Sequence, residues 1–127
     1  MILTEEMKTA IALLGDDKER FIWISGRAGT GKSTFLQYLK TELRPRNAVY
    51  LAPTGVAALT IGGQTIHSFF WINPAEEAYL ETRLDADREG RLYPILAKVE
   101  TIVIDEISMV RADLLDEMDR RMRQAKD

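Results

Sequence analysis

The chain has 127 residues, 46% hydrophobic and 29% charged, which is typical of a single globular domain. A net charge of −3 excludes the overall basic character of many nucleic-acid-binding proteins, so any such binding has to come from a local groove. The chain has no cysteine, no signal-like N-terminus and no apolar run near the roughly 18 residues of a membrane helix, so we expect a soluble, cytoplasmic protein with no membrane partner.

Two helices and a strand are predicted before Pro45. Thr4 is a typical N-cap for a helix reaching Leu14, and the apolar run Phe21–Ser25 predicts a strand buried on both faces. A second helix is predicted from Lys32 to about Leu43, because proline cannot continue it. The residues expected to face the interior are Met7, Ala10, Ile11 and Leu14 in the first helix and Phe35, Leu36, Leu39 and Leu43 in the second.

The loop between this strand and the second helix carries a phosphate-binding pattern. Gly26, Gly31, Lys32 and Ser33 match G-x-x-x-x-G-K-[ST], in which glycines let backbone N–H groups close around a triphosphate. Lys32 is expected to contact the β- and γ-phosphates, and the Ser33 hydroxyl to bind Mg²⁺. The predicted nucleotide-binding residues are Gly26, Arg27, Ala28, Gly29, Thr30, Gly31, Lys32, Ser33 and Thr34.

Strands and helices continue to alternate after Pro45, which predicts an α/β fold with a parallel sheet. Strands are predicted at Ala48–Ala52 and Thr101–Ile104, with a turn and a short helix between them that ends at a glycine pair. Residues 73–98 carry no clear pattern beyond a predicted turn at Asp87–Gly90. A C-terminal amphipathic helix is predicted from the apolar residues Val110, Leu114, Met118 and Met122.

The acidic pair Asp105–Glu106 follows the last predicted strand. Such a strand carries its terminal acid to the carboxyl edge of the sheet, beside the phosphate loop. Asp105 is then placed to hold Mg²⁺ opposite Ser33, and Glu106 to act as the general base that polarises water. The alternative is a strand followed by a solvated acidic pair.

The segment Leu51–Phe70 combines a Thr-Gly turn, a helix N-terminus and aromatic residues. The turn and the helix N-terminus can both hold a phosphate or sugar backbone. His67 is more often a packed or capping residue than a catalyst. Phe69, Phe70 and Trp71 favour a core position on general grounds, although aromatic residues at a groove also stack on bases.

Three segments, GRAGTGKST, APTGVAALTIGGQTIHSFF and IVIDEISMV, resemble the PIF-type, RecD-like DNA helicases of superfamily 1, from Leu3 to about Asp127. The resemblance implies a RecA-like P-loop NTPase fold, a three-layer sandwich with a mainly parallel sheet. It also implies an ATP- and Mg²⁺-dependent motor that moves five-prime to three-prime on single-stranded DNA. A small wedge subdomain would fall within residues 72–98. The implied DNA-binding residues are Pro53, Thr54, Gly55, Thr65, His67 and Ser68, to which the mixture of polar and aromatic residues adds Phe69.

The chain departs from the family pattern in two ways. Met7 stands where the family commonly has a glutamine that reads adenine, so purine selectivity does not carry over. The 127 residues correspond to about half of the first motor domain, without the GDxxQLPP segment, the second motor domain or the arginines that complete hydrolysis. We therefore expect nucleotide binding with poor turnover and no unwinding from these residues alone.

The same comparison predicts a sheet that is incomplete at its C-terminal end. In this class of ATPase, a strand that follows the acidic pair lies between the phosphate-loop strand and the acidic-pair strand. We expect Phe21–Ser25 and Thr101–Ile104 either to flank an open slot or to pair directly, and the fragment to associate through its unpaired strand edges.

Two other functions fit parts of the sequence. One is another P-loop ATPase, of the AAA or helicase-loader type, which would not be expected to carry TIHSFF. The other is a truncated protein that binds nucleotide without turnover. The oligomeric state does not follow from the sequence.

Overall fold

The computed structural model describes residues 4–14, 32–73 and 84–127. The chain divides into two compact units, Met1–Pro45 and Arg46–Asp127. The predicted strand Phe21–Ser25 and the loop Gly26–Gly31 lie outside the described residues. No helix in the described ranges is long and apolar enough to cross a membrane.

The first unit contains the two predicted helices. Helix α1 spans Glu5–Leu14, and the Thr4 hydroxyl accepts a hydrogen bond from the Met7 N–H at 3.2 Å, which confirms the N-cap. Helix α2 spans Lys32–Tyr38 and continues into a π-helical turn at Leu39–Leu43.

The π-helical turn changes the end of the second helix. The Arg44 N–H donates to the Leu39 carbonyl at 2.8 Å, five residues back, and Arg44 ends the helix in a left-handed conformation, φ 47°. Phe35, Leu36 and Leu39 are buried as predicted, but Leu43 is 37% exposed. The inward prediction for Leu43 is wrong, because the wider turn rotates it off the apolar face.

The second unit is built on a three-stranded parallel sheet, which confirms the predicted α/β class. Its strands are β1 (Ala48–Ala52), β2 (Gln64–Thr65) and β3 (Thr101–Ile104), in the order β2-β1-β3. The strand β1 pairs with β2 through Ala52↔Thr65 and with β3 through Leu51↔Ile104. One edge of β3 is therefore paired with β1. The predicted open slot between β3 and Phe21–Ser25 stays a prediction.

Two short helices flank β2. Helix α3 spans Gly55–Ile61, and helix α4 spans Ile66–Phe70. The glycine pair ends α3 as predicted: Gly62 is left-handed, φ 65°, and a Cβ on Gly63 would lie 2.0 Å from the Tyr50 carbonyl oxygen. Gly62 supplies the turn, and Gly63 lets the chain pass against β1.

The predicted turn at Asp87–Gly90 is wrong, because helix α5 spans Ala86–Ala97. The Asp85 carboxylate caps this helix by accepting from the Arg88 N–H at 2.8 Å, and the helix buries Leu92 and Leu96. Gly90 and Pro94 both lie on its exposed side. Pro94 has no N–H to donate to the Gly90 carbonyl, but on the exposed side water can donate to this carbonyl instead.

Helix α6 spans Ala112–Lys126 and follows a 3₁₀ turn at Ile107–Met109. It buries Leu114 and Met118 and packs Met122 against the same cluster, which confirms the predicted apolar stripe for these three residues. Val110 packs against the cluster too, but it precedes the helix and has an extended backbone. The buried core of the second unit joins β1, α4, α5 and α6 and consists of Leu51, Ile66, Phe70, Ile72, Leu84, Leu92, Leu96, Leu114 and Met118.

Candidate functional site

The carboxyl edge of the sheet gathers three of the predicted functional segments. The strands are parallel, so the residues that follow each of them emerge on the same side. Pro53–Gly55 follows β1, Asp105–Glu106 follows β3, and Thr65 ends β2. The register places Pro53–Gly55 between the other two segments, within about 10 Å of sheet width.

Asp105 is fixed at this edge. Its N–H donates to the Leu51 carbonyl at 3.0 Å, one carboxylate oxygen accepts from the Glu106 N–H at 3.0 Å, and the residue is only 6% exposed. In the described ranges no three acidic or histidine side chains form a metal-binding cluster. A single carboxylate at a strand end suits Mg²⁺, which usually takes one or two carboxylates plus water and phosphate oxygens.

Glu106 is exposed and has a left-handed backbone, with φ 59° and ψ 41°. This conformation is uncommon for a residue other than glycine, asparagine or aspartate, and strained residues of this kind cluster at functional sites. The Glu106 carbonyl accepts from the Met109 N–H at 3.0 Å, which closes the turn leading to α6. The turn therefore holds the acid in place while its side chain reaches solvent.

The phosphate-loop residues belong to the first unit. Lys32 and Ser33 begin α2, as the motif requires, and Thr34 is exposed in its first turn. The six residues Gly26–Gly31 lie outside the described part of the chain. The pairing of Ser33 with Asp105 around one metal ion stays a prediction.

The Pro53–Gly55 turn presents an open surface. The Thr54 hydroxyl caps α3 by accepting from the Ala57 N–H at 3.2 Å, so this residue has a structural function. Among the described residues, no atom outside the adjacent helix backbone lies within 4 Å of a Cβ placed on Gly55. Beyond it, Val56 and Leu59 are each 82% exposed on one side of α3. The sequence does not predict this exposed apolar face, since apolar residues at helical spacing predict burial.

The segment Thr65–Ser68 forms the start of α4. The Thr65 hydroxyl caps this helix by accepting from the Ser68 N–H at 3.1 Å. Ile66 is buried, Ser68 is exposed, and His67 lies between these extremes. Burial lowers the pKa of His67 below its usual value, so the neutral imidazole is favoured in the folded chain.

Phe69 packs against the core. Its ring meets that of Phe70 edge to face, with centroids 5.2 Å apart, and it contributes with Ala48 and Pro94 to a cavity of about 430 Å³. Ala48 begins β1, whereas Pro53–Gly55 follows its end. The structure thus places Phe69 toward the amino edge of the sheet, which favours packing over base stacking for this residue.

Helix α6 contains a buried ion pair, Glu117 with Arg121, that the sequence does not predict. No signal in the sequence distinguishes them, because DEMDRRMR has the alternating charges of a solvated helix face. Both side chains are nevertheless fully buried, and Arg121 contacts the end of α4.

Comparisons with known proteins agree on one family. The family model described as PIF1-like helicase matches residues 2–127. The chain is 36% identical to the ATP-dependent DNA helicase Pif1 of Bdellovibrio bacteriovorus, covering 98% of this chain and 28% of that protein. It is 38% identical to the ATP-dependent DNA helicase PIF1 of Mus musculus, covering 98% of this chain and 19% of that one.

Solved structures show the same likeness. Pif1 of Bacteroides sp in complex with ADP-AlF4 superimposes with a TM-score of 0.82 and 43% identity, covering 98% of this chain and 28% of that one. The Bacteroides Pif1 complex with ADP-AlF3 and single-stranded DNA gives a TM-score of 0.78 and 42% identity, with the same coverage. The chain spans less than a third of the length of these relatives.

Proposed function

Because the chain belongs to the family of PIF1-like helicases, we propose that it is the nucleotide-binding part of an ATP-dependent motor that moves five-prime to three-prime along single-stranded DNA. The observation that carries this proposal is the register of the parallel sheet. It places the acidic pair and the Pro53–Gly55 turn on neighbouring strands at one edge. A nucleotide and a nucleic-acid backbone could then bind within a few residues of each other.

The nucleotide-binding side consists of the phosphate loop and the acidic pair. Residues Gly26 to Thr34 hold ATP, with Lys32 on the β- and γ-phosphates. Ser33 and Asp105 would hold Mg²⁺, which would neutralise charge on the phosphates. Glu106 accepts a proton from the attacking water, a function for which its solvent-exposed carboxylate is suited.

The DNA-binding side consists of Pro53, Thr54, Gly55, Thr65, His67 and Ser68. Hydroxyl groups, backbone N–H groups and an imidazole are suited to contact phosphates without reading the bases. The open space at Gly55 and the exposure of Ser68 leave room for a strand to approach. Phe69, which packs against the core, has the least support as a DNA contact.

Membership of this family sets aside the AAA-type and helicase-loader alternatives. We expect the protein to act inside the cell, where its proposed ligands ATP and DNA are found.

The nucleotide half of the proposal is tested by Lys32→Ala. Titration of a fluorescent ATP analogue should show binding to the wild-type chain and loss of binding in this variant, because Lys32 is the main side-chain cation on the phosphates. Lys40→Ala, eight positions along the same helical segment, is the matched control and should bind normally. Equal affinity in the wild-type and Lys32→Ala chains would contradict the proposal.

The DNA half is tested by Ser68→Ala and a labelled oligothymidylate. The backbone N–H of Ser68 makes the cap bond to Thr65, so removing the hydroxyl preserves α4. We expect weaker DNA binding at an unchanged melting temperature, whereas Thr41→Ala, an exposed hydroxyl in the first unit, should change neither.

A further inference from the structure

A fully buried ion pair lies in the middle of α6. The Arg121 guanidinium donates through Nε to a Glu117 carboxylate oxygen at 2.8 Å, and both side chains are 0% exposed. Arg120, on the outer side of the helix, also donates to Glu117, through Nε at 2.9 Å. Burial alone would raise the pKa of Glu117, but the hydrogen bonds from the two arginines outweigh it and hold this pKa below its usual value.

The same guanidinium reaches α4, fifty residues earlier in the chain. Its terminal NH1 group donates to the Phe70 carbonyl at 2.5 Å and lies 3.4 Å from the Trp71 carbonyl. Carbonyls at the end of a helix have no partner within it. Arg121 supplies that partner from inside the core, with Glu117 fixing its orientation.

The point that Arg121 contacts is a strained turn. Trp71 ends α4 in a left-handed conformation with φ 59°, which costs free energy for a bulky residue. The Arg88 guanidinium stacks over the Trp71 ring, 5.7 Å from its centroid. The turn is thus held at its carbonyl by one arginine and at its ring by another.

A buried ion pair is poor evidence for stability, because desolvation of the two charges offsets their attraction. A pair of apolar side chains could fill the same space. What an apolar pair could not do is bind two carbonyls in a defined direction. The planar guanidinium, with several N–H donors at fixed angles, can.

We propose that Arg121 is a positioning residue for the DNA-binding segment Thr65–Ser68. Held by Glu117, it fixes the carbonyl end of α4, and α4 is only five residues long. Anchoring one end of so short a helix fixes its orientation, and with it the positions of His67 and Ser68 in the helix. This inference rests on the proposed binding of single-stranded DNA.

The test compares Arg121→Met with Arg123→Met in the 127-residue chain. Arg123 pairs with Asp119 at the same spacing and at 2.8 Å, but on the exposed side of α6. In Arg121→Met, Glu117 keeps Arg120 as a partner, so the variant chiefly removes the link to α4. We expect affinity for labelled oligothymidylate to fall by at least about fivefold in Arg121→Met and to stay unchanged in Arg123→Met.

Two further readouts separate positioning from other functions. Affinity for the ATP analogue should not change, because the link that the proposal invokes joins Arg121 to Glu117 and to the end of α4. The slope of DNA affinity against salt concentration should also stay constant, whereas loss of a direct arginine–phosphate contact would reduce it by about one unit. A reduced slope would overturn the positioning function.

A second variant covers the case in which Arg121→Met does not fold. Arg121→Lys keeps the charge beside Glu117 but lacks the planar fork, so its folded form should also bind DNA more weakly. Wild-type affinity in a folded Arg121→Met or Arg121→Lys chain would overturn the inference and leave DNA binding intact. No DNA binding by the wild-type chain would instead overturn the proposed function, and the inference with it.

Discussion

Individual side chains at the carboxyl edge have structural functions beside their proposed chemical ones. The hydroxyl oxygens of Thr54 and Thr65 each accept a backbone N–H at the start of a helix. Replacing either by alanine would cost about 1 kcal/mol of stability through the lost cap alone. Loss of DNA binding in such a variant would therefore be ambiguous, and Thr→Ser, which keeps the cap, is the cleaner substitution.

His67 offers a direct test of DNA proximity, because it is the only histidine in the chain. Burial lowers its pKa below the ordinary value of 6.5. The unfolded chain therefore takes up the proton first, and the stability from neutral His67 is complete above about pH 6.5 and declines as the pH falls toward the folded-state pKa.

We predict that saturating oligothymidylate raises the pKa of His67, since nearby phosphates favour the charged imidazole. An NMR titration of the single imidazole signal, with and without DNA, measures this. The midpoint in the free chain should lie below 6.5. An identical midpoint at DNA saturation would show that His67 is remote from the phosphates.

Helix α5 shows how an element can form against its local signals. Gly90 and Pro94 both disfavour a helix interior, yet the Asp85 cap and the burial of Leu92 and Leu96 outweigh them. Contacts at its C-terminal end add to this, as Lys126 donates to the Ala97 carbonyl at 3.0 Å. The helix is stabilised by the core and by α6 rather than by its own sequence.

Gly90→Ala is predicted to stabilise the chain by about 0.5–1 kcal/mol, because alanine loses less backbone entropy in a helix. In the part of the chain that the structure describes, no atom outside the backbone of α5 lies within 4 Å of the added Cβ. Urea unfolding should show the gain. Gly63→Ala is the contrasting variant and should destabilise the chain, since its Cβ would lie 2.0 Å from the Tyr50 carbonyl oxygen. Loss of stability in Gly90→Ala would indicate that α5 does not form as described.

The proposed catalytic groups are divided between the two compact units. Lys32 and Ser33 lie in the first unit, whereas Asp105 and Glu106 lie in the second. The chain also spans only 28% of its relative from Bdellovibrio bacteriovorus. Transition-state charge in phosphoryl transfer usually needs further cations, often an arginine from another domain. We therefore expect these 127 residues to bind nucleotide without hydrolysing it efficiently.

We predict that the 127-residue chain binds the ATP analogue but hydrolyses ATP poorly and unwinds no DNA. In a longer form with a complete motor, Glu106→Gln should keep nucleotide affinity and lose turnover, because the amide cannot accept a proton. A phosphate-release assay with saturating single-stranded DNA measures turnover, and titration of the ATP analogue measures nucleotide affinity. Normal hydrolysis by the Glu106→Gln form would exclude Glu106 as the general base.

The sequence alone determined the features that obey local rules. The strands β1 and β3, the end of α3 at its glycine pair and the apolar stripe of α6 were all predicted, because alternation, helical period and glycine conformation depend on neighbouring residues. The motifs also indicated the family, since each one specifies a backbone shape together with its chemical groups.

Only the tertiary structure decided the rest. The packing of Phe69 and the formation of α5 depend on which surfaces meet, and local propensity does not determine this. The contact between Arg121 and the Phe70 carbonyl joins residues 51 positions apart. A charged side chain at a helical position looks solvated in sequence. It becomes buried only when the fold supplies both a counter-charge and carbonyls without partners, and these come from separate elements.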